Sequence, residues 1–214
     1  MRNPGEHAVL LDLDGTLVDS VYLHVLAWSG SLRDHGHDVA MWRIHRSIGM
    51  GSDRNLPWLL GGAPDDDEYA SLKQGHLDRF LDRTDELRPT HGALELLEDL
   101  ERREVPFLVA TSAGEPERKA LLAALGREDL AVSDSDSVAS SKPAPDLLHA
   151  AYAQLSVVSD DVTLVGDSPW DCEAAVRAGA RSLGVRTGGF GAEELLARGA
   201  ADVVDAPADL IGRL

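Results

Sequence analysis

Short apolar runs, spaced by stretches long enough for a helix, constrain the fold of this chain more than any other feature. Ala8-Val9-Leu10-Leu11, Pro106-Phe107-Leu108-Val109-Ala110, Val162-Thr163-Leu164-Val165 and Ser182-Leu183-Gly184-Val185 are the strong ones, with Leu130-Ala131-Val132 and Asp202-Val203-Val204 weaker. Apolar character without alternation suits strands covered on both faces, as in a parallel sheet. Parallel strands need crossover segments, and the intervening sequence supplies amphipathic ones. Leu94, Leu97 and Leu100 repeat on one helical face, with Glu95, Glu98, Asp99 and Glu101 on the other. Residues 117–125, 146–155 and 171–178 follow the same pattern, and Gly126 and Gly179 are placed to end two of these helices. From about residue 92 onward the alternation predicts an α/β fold with a doubly wound parallel sheet.

Residues 20–88 break that rhythm. They hold no buried-strand run, but helical stretches near 21–34, 40–48, 54–60 and 68–82, and three of the four tryptophans, Trp28, Trp42 and Trp58. The expected organisation is an α/β core of residues 1–19 and 89–214, with a small helical cap of residues 20–88 inserted after the first strand. Trp42 is expected to pack between helices, and the acidic run Pro64-Asp65-Asp66-Asp67-Glu68 to form a solvated loop that starts a helix.

Charge narrows the partners. With 20 Lys+Arg against 37 Asp+Glu, the formal net charge is −17, a field that repels nucleic-acid backbones and anionic lipid. Cys172 is the lone cysteine, so no intrachain disulfide forms. The residues from Met1 to His7 carry no apolar leader region, and no apolar run reaches bilayer length. A cytoplasmic protein with no nucleic-acid or membrane partner is expected, its oligomeric state unreadable.

Four segments carry chemistry. Asp12 and Asp14 follow the first strand in Leu11-Asp12-Leu13-Asp14-Gly15-Thr16, and residues two apart in extended chain point the same way. Two such carboxylates beyond a strand's carboxyl end call for a hard cation, most naturally Mg²⁺, although an Asp-Gly turn with incidental acids has the same appearance. Gly166-Asp167-Ser168-Pro169-Trp170-Asp171 follows another buried run, and Asp171 also suits a helix cap. Thr111-Ser112 ends the 106–110 strand, where hydroxyls and backbone N–H groups suit a phosphate or, equally, a helix N-terminus. Lys142 is held in Ser140-Ser141-Lys142-Pro143-Ala144-Pro145-Asp146, a stiff loop that aims its ammonium.

In order and spacing, these segments together resemble the four motifs of the haloacid dehalogenase superfamily of phosphohydrolases, and most nearly its phosphoglycolate phosphatase and β-phosphoglucomutase-like group. The resemblance covers essentially the whole chain and implies a Rossmann-like core with a cap. It implies Asp12 as a nucleophile that forms an aspartyl-phosphate, and Asp14 as general acid and base. It further implies Mg²⁺ on the Asp12 carboxylate, the Asp14 main-chain carbonyl and the Asp167 carboxylate, with Asp171 in the outer shell, and Thr111, Ser112 and Lys142 on the phosphoryl oxygens. The expected activity is Mg²⁺-dependent hydrolysis of a small phosphorylated metabolite, phosphoglycolate or a sugar phosphate. Asp14 disfavours the family's dehalogenase chemistry. Phosphoryl transfer of the β-phosphoglucomutase kind is the alternative, favoured by His24 and the Ser-Lys-Pro-Ala-Pro-Asp segment. Against it, Ile48-Gly49-Met50-Gly51-Ser52 lacks the mutase's arginine and the fourth motif begins Gly-Asp-Ser. A silent phosphate-binding module is the other alternative. His24, Arg43 and Arg46 are the cap's candidate specificity residues, and no clustered ligand set supports zinc.

Overall fold

A computed structural model of the chain describes residues 7–133 and 140–214. The segment Met1–Glu6, read above for a leader, lies outside the described residues. The core is a five-stranded, all-parallel sheet in the order β4-β1-β5-β6-β7, with β1 Ala8–Leu11, β4 Phe107–Val109, β5 Val162–Gly166, β6 Arg181–Val185 and β7 Asp202–Val204. The weak run at 130–132 adds only a parallel bridge between Val132 and Val109.

The strands bury both faces, which explains their unbroken apolar sequence. Val9, Leu11, Val109 and Val165 enter one cluster with Leu96, Leu97, Leu100 and Leu121 from α5 Ala93–Arg102 and α6 Glu115–Leu125. Leu10, Leu108 and Leu164 enter another with Leu147, Leu148, Ala174 and Ala175 from α7 Asp146–Leu155 and α8 Pro169–Ala178. Gly126 and Gly179 end α6 and α8 in the left-handed conformation. A short α9, Ala192–Ala197, precedes β7. Because the crossover leaving β1 runs to β4 on one side while the crossover leaving β5 runs to β6 on the other, a crevice opens beyond the carboxyl ends of β1 and β5, where open α/β sheets bind ligands.

After β1 the chain makes a two-residue strand, β2 Val18–Asp19, and runs through four helices: α1 Val21–Asp34, α2 Met41–Ser47, α3 Ser52–Leu60 and α4 Asp66–Leu81. It returns through β3 Arg88–Pro89, paired antiparallel with β2, so both crossings lie side by side. The helices enclose their own apolar cluster of Val25, Trp28, Leu32, Ile44, Leu56 and Leu72. Asp65 caps α4 by accepting from the Glu68 N–H, as its acidic start demands. Trp42 corrects an expectation: it is 68% exposed. In the seven-residue α2, Ile44 and Ser47 face inward, and Trp42 lies on the opposite side.

Candidate active site

The turn after β1 forces its first two acids into different surroundings. Gly15 has φ +73°, and a Cβ there would stand 2.5 Å from Asp167 Oδ2, so only glycine fits. A Cβ on Gly188 would also collide with Asp167, so glycine backbone cradles this carboxylate from two sides. Thr16 Oγ1 donates to Asp167 Oδ1 at 3.0 Å, and Thr187 Oγ1 ties down the Gly15 carbonyl at 2.5 Å.

Asp12, Asp167 and Asp171 converge, all buried, with one oxygen of each within 4.8 Å of the others. Lys142, 1% exposed, is the cation among them. Its Nζ lies 2.5 Å from Asp12 Oδ1 and 2.7 Å from Asp171 Oδ1. Three carboxylates facing one ammonium leave the cluster in excess negative charge, and burial makes that charge expensive. Burial, reinforced by Asp171 and Asp14 and opposed by Lys142, pushes the Asp12 carboxyl up to about 7. Burial, then Asp171 and Asp12, drive Asp167 well above the carboxylate range. An all-oxygen, over-anionic, buried donor set fits a hard divalent cation, which would favour the charged forms of Asp12 and Asp167.

Asp171 helps to cap α8, although Ser168 and not Asp171 is the N-cap, and it also faces Lys142. As the third residue of α8 it forms a capping box, its Oδ2 accepting from the Ser168 N–H at 3.1 Å and the Ser168 hydroxyl at 2.5 Å, while its Oδ1 faces Lys142. Thr111 and Ser112 do not cap a helix, since Gly114 precedes α6. Thr111 Oγ1 instead accepts from the Ala113 N–H at 3.0 Å, and the buried Ser112 hydroxyl has no hydrogen-bond partner among the described residues.

Asp14 points away from this cluster. Its Oδ1 accepts from Ser20 Oγ at 2.7 Å and lies 2.8 Å from His24 Nε2. Burial raises its carboxyl, but His24 and Ser20 outweigh it and leave Asp14 below its ordinary value. His24 moves the other way: burial lowers it, Asp14 raises it further, and the net shift is upward.

Asp12, Asp14, Thr111, Ser112 and Lys142 open onto one cavity of about 600 Å³, closed on the far side by α1, α3 and α4. Of the three specificity candidates, His24 lines it, whereas Arg43 and Arg46 do not. Arg43 lies over the Trp58 ring, 5.6 Å from its centroid. Arg46 pairs with Glu194 and stacks over Phe190, fastening α2 to the core together with a His45 Nε2–Gly188 carbonyl bond of 2.8 Å. Asn55, Lys73, His76 and Glu117 also line the cavity, and none was singled out from sequence. No motif marks them, because helix packing alone brings them to this wall.

Residues 6–179 match the haloacid dehalogenase-like hydrolase family. Among curated proteins, the chain is 31% identical to an N-acetylmuramic acid 6-phosphate phosphatase of Pseudomonas aeruginosa, covering 95% of this chain and 92% of that one. It is 34% identical to a phosphoglycolate phosphatase of Rhodospirillum rubrum, covering 92% and 86%. Among solved structures, a hydrolase from Pseudomonas syringae superimposes with a TM-score of 0.94 at 34% identity, over 97% of both chains. The acids beyond β1 and β5, the lysine between them and these likenesses converge: the chain belongs to the haloacid dehalogenase-like hydrolase family.

Proposed function

We propose that the protein is a Mg²⁺-dependent phosphatase that hydrolyses a small phosphorylated metabolite, such as phosphoglycolate or a sugar phosphate, through an aspartyl-phosphate on Asp12. The observation that carries this reading is the buried Asp12–Lys142–Asp171 array beside Asp167, whose Asp12 and Lys142 open onto the same cavity as Thr111 and Ser112, the Ser112 hydroxyl having no partner among the described residues. The names of the two curated relatives, both phosphatases of small phosphate esters, support it.

In this reading Asp12 attacks phosphorus while the bond to the leaving oxygen breaks, and Asp14 protonates that oxygen. Water then attacks the acyl-phosphate, Asp14 takes its proton, and phosphate departs. Lys142, Thr111 and the Ser112 N–H hold the phosphoryl oxygens, where positioning and electrostatics dominate the barrier. The Asp12 and Asp167 carboxylates and the Asp14 carbonyl would hold Mg²⁺, with Asp171 behind them, and the ion would neutralise the approach of two anions. Residues 20–88 act as a cap that excludes water, with the paired crossings at 18–19 and 88–89 as hinges.

Phosphate release across a panel of phosphorylated metabolites tests the reading. Chelation is expected to abolish turnover and Mg²⁺ to restore it, and Asp167→Asn to raise the Mg²⁺ concentration needed for half-maximal rate by at least about tenfold. Full turnover in metal-free buffer would overturn the metal assignment. Arg46, held by Glu194 away from the cavity, is expected to act alike on every substrate. Arg46→Ala should change kcat/KM for p-nitrophenyl phosphate and for the best metabolite by the same factor, no more than about fivefold for a half-exposed ion pair. A selective loss on the metabolite would place Arg46 in leaving-group recognition after all.

A further inference from the structure

Asn55, on the cap side of the cavity, is a buried polar side chain that the fold itself does not explain. It stands in the first turn of α3, 1% exposed, and lines the same cavity as Asp12 and Lys142. Its buried Oδ1 has no hydrogen-bond partner among the described residues. Asparagine is a poor residue within a helix, and here it caps nothing, since Gly51 is the N-cap of α3. The residues of α3 that hold the helix in the cap's apolar cluster are Leu56 and Leu59.

Other polar groups of that wall are already engaged. His76 Nε2 lies 3.0 Å from His24 Nδ1, and His76 Nδ1 faces Glu117 Oε1 at 3.3 Å. The Tyr69 hydroxyl and Ser52 Oγ share a hydrogen bond of 2.7 Å, and Asp53 Oδ2 accepts from the Ser141 N–H at 3.3 Å. The start of α3 is tied to the core, with the Gly51 N–H donating to Ser141 Oγ at 3.1 Å, next to Lys142. An unpaired amide buried on so fixed a wall is costly in the empty protein, and a ligand that supplies the missing partner removes the cost. Ser112 on the core and Asn55 on the cap thus offer unpartnered groups to the two halves of a phosphate ester.

Size and charge narrow what meets Asn55. A cavity of about 600 Å³ holds about twenty waters at ~30 Å³ each. A two-carbon acid on the phosphoryl group would leave most of that space to water, whereas a sugar would fill it. Away from the catalytic floor, Asp53, Glu115 and Glu117 line the cavity against Lys73, an acidic excess that opposes a carboxylate or a second phosphate.

We propose that Asn55 is a specificity-determining residue, whose amide pairs with a hydroxyl on an uncharged, sugar-sized leaving group. This specificity rests on the phosphatase reading above and narrows it, making sugar phosphates the substrates and phosphoglycolate a poor one. A hydroxyl both donates and accepts, and a half-turn of the Asn55 amide presents either its N–H or its carbonyl oxygen, so the pair forms with either polarity.

In the parent protein, kcat/KM for the best of glucose, mannose and sorbitol 6-phosphates should exceed that for phosphoglycolate and for glucose 1,6-bisphosphate by at least about tenfold. Asn55→Leu keeps the shape of the side chain and removes the amide. It should lower kcat/KM for that sugar phosphate about 10- to 100-fold relative to phenyl phosphate, whose leaving group offers no hydroxyl. The melting temperature of the substrate-free variant should hold or rise, because a buried unpaired amide is gone, whereas a merely structural role for Asn55 would lower it. An unchanged ratio between the two substrates, a destabilised variant, or a parent that prefers phosphoglycolate or the bisphosphate would overturn the proposal. The phosphatase reading fails separately. A parent that releases phosphate from none of these esters defeats that reading and the specificity with it; release from phenyl phosphate and phosphoglycolate with no preference for a sugar phosphate defeats the specificity alone.

Discussion

Asp12→Asn is expected to lower kcat by about 10⁴- to 10⁶-fold, the scale of losing a covalent nucleophile, without lowering thermal stability. An amide of the same size keeps the packing beyond β1 but cannot attack phosphorus. Stability should hold or rise, because the substitution removes one of three carboxylates from a buried cluster in which Lys142 is the balancing cation among the described residues, and Lys142 keeps Asp171. Beryllofluoride with Mg²⁺ should bind the parent protein tightly and the variant weakly. A variant within tenfold of the parent, or a trapped species on another residue, would remove Asp12 from the nucleophile's role.

Lys142→Met carries the second large effect, and it extends to the fold. The side chain is buried between Asp12 and Asp171, so a neutral replacement strands three carboxylates in the interior. Breaking a buried ion pair from one side costs about 3–5 kcal/mol. In chelator at pH 7, the urea midpoint should fall accordingly, and activity should be lost with it. The folded-state carboxyls of Asp12 and Asp167 are raised above their unfolded values, so the native state binds more protons than the unfolded one across that window. Stability of the metal-free protein must therefore fall as pH rises from about 4 through 7, more steeply in the variant, where the pull of Lys142 is gone. Added Mg²⁺ should recover part of the deficit at pH 7 by binding the folded cluster. An unchanged midpoint in chelator would mean that water or relaxation already solvates these acids.

Much of the site was legible because strand order follows from local rules. A continuous apolar run dictates a strand buried on both faces, and the residue after it must emerge at the sheet's carboxyl edge. The sequence alone thus puts Asp12 after β1, Thr111 after β4 and Asp167 after β5 at that edge, and strand pairing makes those strand ends neighbours. Lys142 was legible as an aimed cation from its prolines, though not that its ammonium would sit between Asp12 and Asp171. Trp42 was misread because a seven-residue helix contains too few turns for periodicity to say which face is inward. Arg43 and Arg46 were legible as charges on the helical insert, but only packing decides whether such a charge faces a cavity, a tryptophan or a glutamate.

What the sequence determined by itself was the parallel sheet, the run of helices between β2 and β3 and the acidic edge, since each follows from chemistry repeated over neighbouring residues. The tertiary structure alone decided the chain from Asp14 through His24 and His76 to Glu117. His24 and His76 stand 52 residues apart on helices whose sequences are each satisfied without the other. Their meeting depends on the angle at which α1 packs on α4 and α4 rests against α6, and rigid-body packing of that kind leaves no periodic trace in a sequence.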